Sequence, residues 1–133
     1  DGRKKLAEAA FKAIEISDPD KAINNKDKIL NAPYRAPLII VVIASVNKES
    51  RIPEVEQILS AGAAAQNILI ACHSLGYSAI WRTGFLSFNE EVSLSFGLNK
   101  NDIIIGYLYI GSTEKKIDAP EVSDINDFVQ KWS

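Results

Sequence analysis

The chain has 133 residues, of which 47% are hydrophobic, and a formal net charge of −2 at pH 7. This length and composition predict one globular domain, and the acidic balance argues against a nucleic-acid-binding protein, which normally presents a basic face to phosphates. The single cysteine excludes an intrachain disulfide, and the lack of a signal-peptide pattern or of about 18 consecutive apolar residues predicts a cytoplasmic protein without a membrane partner.

The start of the sequence indicates that upstream residues are missing. The chain holds no methionine, and its first residues predict a Gly-containing turn that runs directly into a helix. We therefore expect residues 1–133 to form a single domain that is incomplete at its N-terminus.

The first predicted elements are helical. Apolar residues recur at helical spacing over about 3–16, with Lys and Glu on the opposite face, which predicts an amphipathic helix. An Asp-Pro-Asp sequence ends it, and a short polar helix is predicted to follow to about Leu30. Residues 31–37 are predicted to be non-helical, because Pro33 and Pro37 each push the preceding residue towards extended geometry.

A strand and a long helix come next. Residues 38–44 form a continuous run rich in β-branched side chains, which predicts a strand buried on both faces. Residues 53–75 predict a long helix that ends at Gly76 in a left-handed cap. The middle of this helix, Ser-Ala-Gly-Ala-Ala-Ala over 60–65, has almost no side-chain volume, so another helix, a sheet or a flat ligand can approach its backbone closely.

The remaining elements are shorter. Residues 77–81 and 103–110 predict two more strands. Ser87 and Glu90 have the spacing of a capping box, which predicts the start of a helix that ends near Gly97. The elements together predict an α/β chain whose buried strands are covered by helices on both sides.

Two large aromatic side chains, Phe128 and Trp132, lie close to the end of the sequence. We expect this end of the chain to dock on the fold, because large apolar groups are normally removed from water.

The sequence lacks the residue patterns of several catalytic and metal sites. His73 is the only histidine, and neither Cys-x-x-Cys nor His-Glu-x-x-His spacing is present, so no metal site is expected. Cys72 and His73 are helix neighbours about 100° apart, which favours a buried thiol and a surface imidazole over a nucleophile–base pair. Dinucleotide-binding, P-loop and hydrolase motifs are absent, and the paired carboxylates lie in polar surroundings. No catalytic side chain is therefore predicted.

A bound redox cofactor would need no acid–base side chain, because the cofactor itself performs the chemistry. Such a site needs close backbone approach, a cation and an aromatic wall. The 60–65 segment offers the first, Arg82 the second, and Trp81 or Tyr77 the third. Two alternatives stay open, namely that Arg82 forms a salt bridge at a strand end and that Trp81 is a core residue.

Three segments in this order resemble the nitroreductase family, in particular its small single-domain branch. They are NAPYRAPLIIVVIA over 31–44, EQILSAGAAAQNILIACHSLGYSAIWRTG over 56–84, and IIIGYLYIGS over 103–112. Each motif alone is weak, but the ordered set extends over essentially the whole chain.

The resemblance implies a homodimeric α+β fold with a mainly antiparallel central sheet flanked by helices on both sides. It implies FMN at the subunit interface and an oxidoreductase that passes hydride from NAD(P)H through the flavin to a small-molecule acceptor, such as a nitroaromatic compound or a quinone. The family's N-terminal Arg-Arg-Ser type motif, which grips FMN, is not found in this sequence.

By position, the resemblance implies two sets of site residues. The FMN contacts are Trp81, Arg82 and Thr83. The pyridine-nucleotide segment, whose transfer rests on fewer shared residues, is Ala71, Cys72, His73, Ser74, Leu75 and Gly76. Lys115 and Lys116 form either a solvated turn or a phosphate contact.

Two other functions are compatible with the same residues. A non-catalytic dimeric module could keep the fold and lose the flavin, as the missing N-terminal motif indicates. A flavin enzyme of the same fold could also catalyse a different reaction.

Overall fold

The computed structural model describes residues 1–114 and 121–132, so Lys115 and Lys116 lie outside the described residues. Its helices and strands, in chain order, are α1 Gly2–Ser17, α2 Pro19–Asn24, α3 Lys26–Asn31, β1 Leu38–Ser45, α4 Glu54–Ser74, β2 Ser78–Arg82, α5 Glu90–Ser95 and β3 Asp102–Gly111. Short 3-10 turns occupy Ala32–Arg35, Phe85–Ser87 and Ile125–Asp127.

Asp18 sets the boundary between α1 and α2. Its backbone N–H donates to the Ile14 carbonyl at 2.7 Å, and its side chain accepts from the Lys21 N–H at 3.0 Å. Pro19 follows as the first residue of α2, where its missing N–H is not needed. One residue therefore ends the first predicted helix and begins the next.

The prediction for residues 31–37 was wrong in its first half. Ala32, directly before Pro33, has helical dihedral angles (φ −56°, ψ −42°) and begins a 3-10 turn. Proline disfavours this conformation in the preceding residue without excluding it, and Pro33 lies in the first turn, where its N–H is not required. Ala36, before Pro37, is extended as predicted (φ −135°, ψ 150°).

The three strands form one antiparallel sheet in the order β1-β3-β2. The pairing of β1 with β3 changes register, because Val42 lies opposite Gly106 and Ile43 opposite Ile104. Ile105 is left as the extra residue of a β-bulge. The mainly antiparallel sheet implied by the resemblance is confirmed.

Helices cover both faces of this sheet. On one face, buried side chains of α1 and α5 pack against Tyr107 and Ile104 of β3. On the other face, α4 packs against Leu108 and Ile110 of the same strand. The prediction of helices on both sides of the sheet is therefore confirmed. The predicted burial holds best for the central strand β3, whereas most of β1 is half-buried and β2 alternates between exposed and half-buried residues, because both are edge strands.

The long helix α4 ends as the sequence predicts. Gly76 has a φ of 81°, its N–H donates to the His73 carbonyl at 3.0 Å, and the Tyr77 N–H donates to the Cys72 carbonyl at 2.8 Å. These two bonds are those of a Schellman cap, for which glycine is preferred because it has no Cβ.

The capping-box prediction was wrong. Helix α5 begins at Glu90 and its N-cap is Asn89, whose side chain accepts from the Val92 N–H at 3.4 Å. Ser87 instead ends the 3-10 turn, and its buried hydroxyl has no hydrogen-bond partner among the described residues. Asn and Ser cap helices almost equally well, so spacing alone could not distinguish them.

The expected docking of the chain end is not seen within this chain. Phe128 and Trp132 are 77% and 99% exposed.

Candidate functional site

Arg82 and Thr83 lie at a cavity between the sheet and the helical layer α1–α3. The cavity has a volume of about 310 Å³ and is called the helical cavity below. Its apolar wall includes Leu6, Ile14 and Ile29, and its sheet wall includes Tyr107 and Tyr109. A cavity of this volume can hold part of a cofactor-sized ligand.

Positive charge dominates the lining of the helical cavity. Lys21, Lys28, Arg35 and Arg82 line it, and none of the described lining residues is acidic. The ion pairs among the described residues are Arg3–Asp1, Lys4–Glu8 and Lys12–Glu91, so the four cavity cations have no described carboxylate partner. Such a cavity favours an anionic ligand.

Strand pairing places Arg82 opposite Tyr107, while Ile80 lies opposite Tyr109 on the same sheet face. The Tyr107 hydroxyl donates to the Leu86 carbonyl at 3.2 Å, and burial, with a smaller contribution from Tyr109, raises its pKa well above the ordinary range. Burial also raises the pKa of Tyr109, whereas the charges of Arg35 and Arg82 oppose that shift. Both phenols are therefore neutral hydrogen-bonding groups at neutral pH.

A second cavity, of about 450 Å³, begins on the far side of Arg82 and is called the edge cavity below. Ser78, Ile80 and Ser112 contribute to its lining, and none of its described lining residues is acidic. The two cavities share Arg35, Arg82 and Tyr109. These three side chains thus stand where the cavities meet.

Trp81 points to the opposite face of the sheet, because successive strand residues alternate. It packs with the α4 side of the core, and its indole N–H donates to the Ile105 carbonyl at 3.2 Å. The acceptor belongs to the extra residue of the β-bulge. This placement favours the alternative in which Trp81 is a core residue that anchors the segment next to Arg82.

The segment Ala71–Gly76 lies on the other side of the sheet from the helical cavity. Cys72 is buried, whereas His73 and Ser74 are exposed. Cys72 and Leu75 line an apolar cleft of about 400 Å³, which shares Pro37, Gly111 and Ser112 with the edge cavity.

The backbone of this segment offers few free donors. The N–H groups of Leu75, Gly76 and Tyr77 are engaged with carbonyls of the last helical turn. The structure therefore brings Arg82 and Thr83 together but separates them from residues 71–76.

Sequence reasoning missed most of the cavity lining. Lys21 and Lys28 lie in the segment that predicts a short polar helix, and Arg35 lies in the entry into β1. Tyr107 and Tyr109 lie in the third predicted strand. The two-residue spacing of the tyrosines would have placed them on one sheet face. No sequence pattern pairs that face with α2 and α3.

No group of three or more His, Cys, Asp or Glu side chains in the described part of the chain could hold a metal ion.

A model of the nitroreductase family matches residues 1–112. This chain belongs to the nitroreductase family. A curated relative, "Putative NAD(P)H nitroreductase YdjA" of Escherichia coli strain K12, is 40% identical over 118 residues, which are 88% of this chain and 63% of the relative. The chain thus spans less than two thirds of the length of that protein.

Solved structures show the same fold. The nitroreductase-like family protein from Bacillus cereus superimposes with a TM-score of 0.79 at 24% identity, covering 99% of this chain and 68% of the other. A variant of the FMN and NADPH-dependent nitroreductase NfnB from sphigopyxis sp. strain HMH gives a TM-score of 0.57 at 16% identity, covering 95% and 56%. At these identities the likeness concerns the fold alone.

Proposed function

We propose that this chain is part of an FMN-dependent NAD(P)H oxidoreductase that delivers reducing equivalents to small electron-poor acceptors, such as nitroaromatic compounds or quinones. Membership of the nitroreductase family and the names of its relatives support the general oxidoreductase role. One structural observation carries the site: Arg82, without a described carboxylate partner, stands where two basic cavities meet, and Thr83 lines the helical cavity next to it.

The residues at this junction have the chemistry that FMN requires. Arg82 would hold FMN through its guanidinium donors and Thr83 through its hydroxyl, since both suit flavin or phosphate oxygens. When bound, FMN supplies the hydride chemistry. The fixed positive charge of Arg82 would stabilise negative charge that develops nearby, at low cost in reorganisation.

The other predicted site residues take indirect roles in this proposal. Trp81 would position the backbone next to Arg82 from the α4 side of the sheet, through the hydrogen bond from its indole N–H to the Ile105 carbonyl. Residues 71–76 would reach a pyridine nucleotide only through exposed side chains such as His73 and Ser74, because the backbone donors at the helix end are engaged.

We also propose a cytoplasmic homodimer formed through α4. This helix and its C-cap residue leave apolar side chains in solvent, with Leu59 65%, Ile70 54% and Leu75 74% exposed. Among the described helices, α4 is the one long and apolar enough to cross a membrane, with a mean hydropathy of 1.2 over 18 residues. Only 11% of this 18-residue stretch is buried within the fold. A second copy covering the small-residue face would remove this surface from water.

Flavin retention tests the proposed activity. The purified chain should bind FMN, show the yellow absorption of oxidised flavin and lose it when NADPH or NADH is added. Arg82→Ala should weaken FMN binding about tenfold or more, because a charge-assisted hydrogen bond is lost. Arg51→Ala, at an exposed position that lines neither cavity, is the control. Equal FMN affinity in wild type and Arg82→Ala would reassign Arg82 to a structural role.

Sedimentation or light scattering tests the dimer. A Leu59→Glu/Ile70→Glu variant should be monomeric, because two charges would be buried in the interface. Ile16→Glu, at a residue of α1 that is 61% exposed, should remain dimeric. A wild-type monomer, or a dimer unaffected by both glutamates, would contradict this assignment of the interface.

A further inference from the structure

Three cations of the helical cavity have no role in the proposed flavin contact. Lys21 and Lys28 belong to α2 and α3, and Arg35 ends the 3-10 turn that follows. All three are exposed, so their charged groups are accessible to a ligand. Asp20 and Asp27 lie on the same helices but do not line the cavity. The wall of the cavity opposite the sheet is therefore positively charged and unpaired within the described chain.

The sign of the charge beside a ribose distinguishes the two pyridine coenzymes. A carboxylate that bonds the ribose 2′-hydroxyl favours NADH, whereas a cation accommodates the 2′-phosphate of NADPH. Neither the helical cavity nor the edge cavity has an acidic residue among its described lining. The described lining of the two cavities thus has the cations that suit the 2′-phosphate of NADPH and lacks the carboxylate that would bond the ribose 2′-hydroxyl of NADH.

We propose that Lys21, Lys28 and Arg35 bind the 2′-phosphate of NADPH, so that this chain uses NADPH in preference to NADH. The inference rests on the proposed function, because it takes a pyridine nucleotide as the hydride donor. A phosphate monoester carries about −1.5 to −2 charges at pH 7 and presents three strong acceptor oxygens. Three cations on one wall match that charge, and Ile29 beside them provides apolar surface for a nucleoside.

Binding of two adenosine nucleotides tests this site without relying on turnover. Adenosine 2′,5′-bisphosphate and 5′-AMP differ by the 2′-phosphate alone. Isothermal titration of the purified full chain should give at least about tenfold tighter binding of the bisphosphate, and this preference should weaken as salt rises. Lys21→Ala/Lys28→Ala should reduce the preference to about twofold or less, while changing 5′-AMP affinity little.

The control variant is Lys5→Ala/Lys48→Ala. It removes the same charge from two exposed positions that line neither cavity, so its preference for the bisphosphate should equal that of wild type. Equal affinity of wild type for the two nucleotides would overturn the proposal. A loss of preference as large in the control as in the cavity variant would also overturn it, since long-range charge would then explain the effect.

FMN titration separates this inference from the proposed function. If FMN displaces the bisphosphate, or if Lys21→Ala/Lys28→Ala weakens FMN binding tenfold, the three cations belong to the flavin site and the 2′-phosphate assignment fails. If the chain binds no FMN but keeps the preference for the bisphosphate, the flavin proposal fails and the phosphate site stands.

Discussion

Replacing Gly106 with alanine should destabilise the fold, because a Cβ there would overlap Trp81 and crowd the backbone of Arg82. A Cβ at Gly106 would overlap the indole, with Trp81 Cδ1 at 2.6 Å, and would lie 2.9 Å from the Arg82 carbonyl oxygen. The indole would have to move, which strains the packing by about 1–3 kcal/mol and breaks its bond to the Ile105 carbonyl at a further cost of about 1 kcal/mol. Alanine offsets roughly 0.4–1 kcal/mol by restricting the unfolded chain. We expect a net loss of about 1–3.5 kcal/mol.

Urea unfolding followed by fluorescence and circular dichroism measures this loss. Gly62→Ala is a matched control, because a Cβ there would meet the same indole at an ordinary contact distance of 3.9 Å from Cη2. Within α4 that change should be neutral or stabilising by up to about 1 kcal/mol. A Gly106→Ala variant as stable as wild type, or a Gly62→Ala variant equally destabilised, would refute the assigned packing of Trp81.

A double-mutant cycle locates the effect. In a Trp81→Ala background, Gly106→Ala should lose the part of its cost that comes from the overlapping ring, while the close approach to the Arg82 carbonyl oxygen remains. Additive effects would show that Gly106 is needed for a reason unrelated to the indole. Gly106→Ala should also weaken FMN binding, since it displaces the backbone next to Arg82, although Gly106 lines neither cavity.

Other predictions concern the site wall and the helix ends. Tyr107→Phe should cost about 1 kcal/mol at neutral pH through the lost bond to Leu86. Burial raises the pKa of Tyr107 in the folded state, so the unfolded state loses this proton first as the pH rises. The stability of the wild type should therefore fall above about pH 10. In Tyr107→Phe the fall should be less steep, which urea unfolding at several pH values would measure. Asn89→Ala should cost about 0.5–2 kcal/mol because it removes the N-cap of α5, whereas Ser87→Ala should be nearly neutral. If urea unfolding showed Ser87→Ala to be the more destabilising change, Ser87 and Glu90 would form a capping box after all. Gly76→Ala should cost about 1 kcal/mol by the same measurement, because its φ is 81°.

Much of the fold could be predicted from sequence because its determinants are local. The continuous apolar runs of β1 and β3 identify two of the three strands, and the glycine after α4 identifies a cap whose hydrogen bonds involve only the neighbouring turn. The errors arose where two local preferences compete. Asn89 and Ser87 are both good capping residues, and Pro33 disfavours a helical Ala32 without forbidding it.

The candidate site could be predicted only in part, because it is assembled from distant segments. A motif draws attention to Trp81 and Arg82 as one unit, yet neighbouring strand residues face opposite sides of the sheet. Their contributions therefore differ, with one side chain in the core and the other at the cavity. Nothing in residues 18–35 indicates that their cations face Arg82, since this depends on the packing of α1–α3 against the sheet.

The bulge at Ile105 connects these two roles. Without the extra residue, the alternation of β3 would continue unbroken, and Ile104 and Tyr107 could not both face the α1 side. The same irregularity presents the carbonyl that accepts the Trp81 indole N–H, and Gly106 provides the space for the ring. Trp81 is thereby held on the α4 side while Arg82, one residue on, reaches the junction of the cavities. The position of the proposed flavin contact thus depends on three residues that line neither cavity, which is why the Gly106→Ala measurement tests the site as well as the fold.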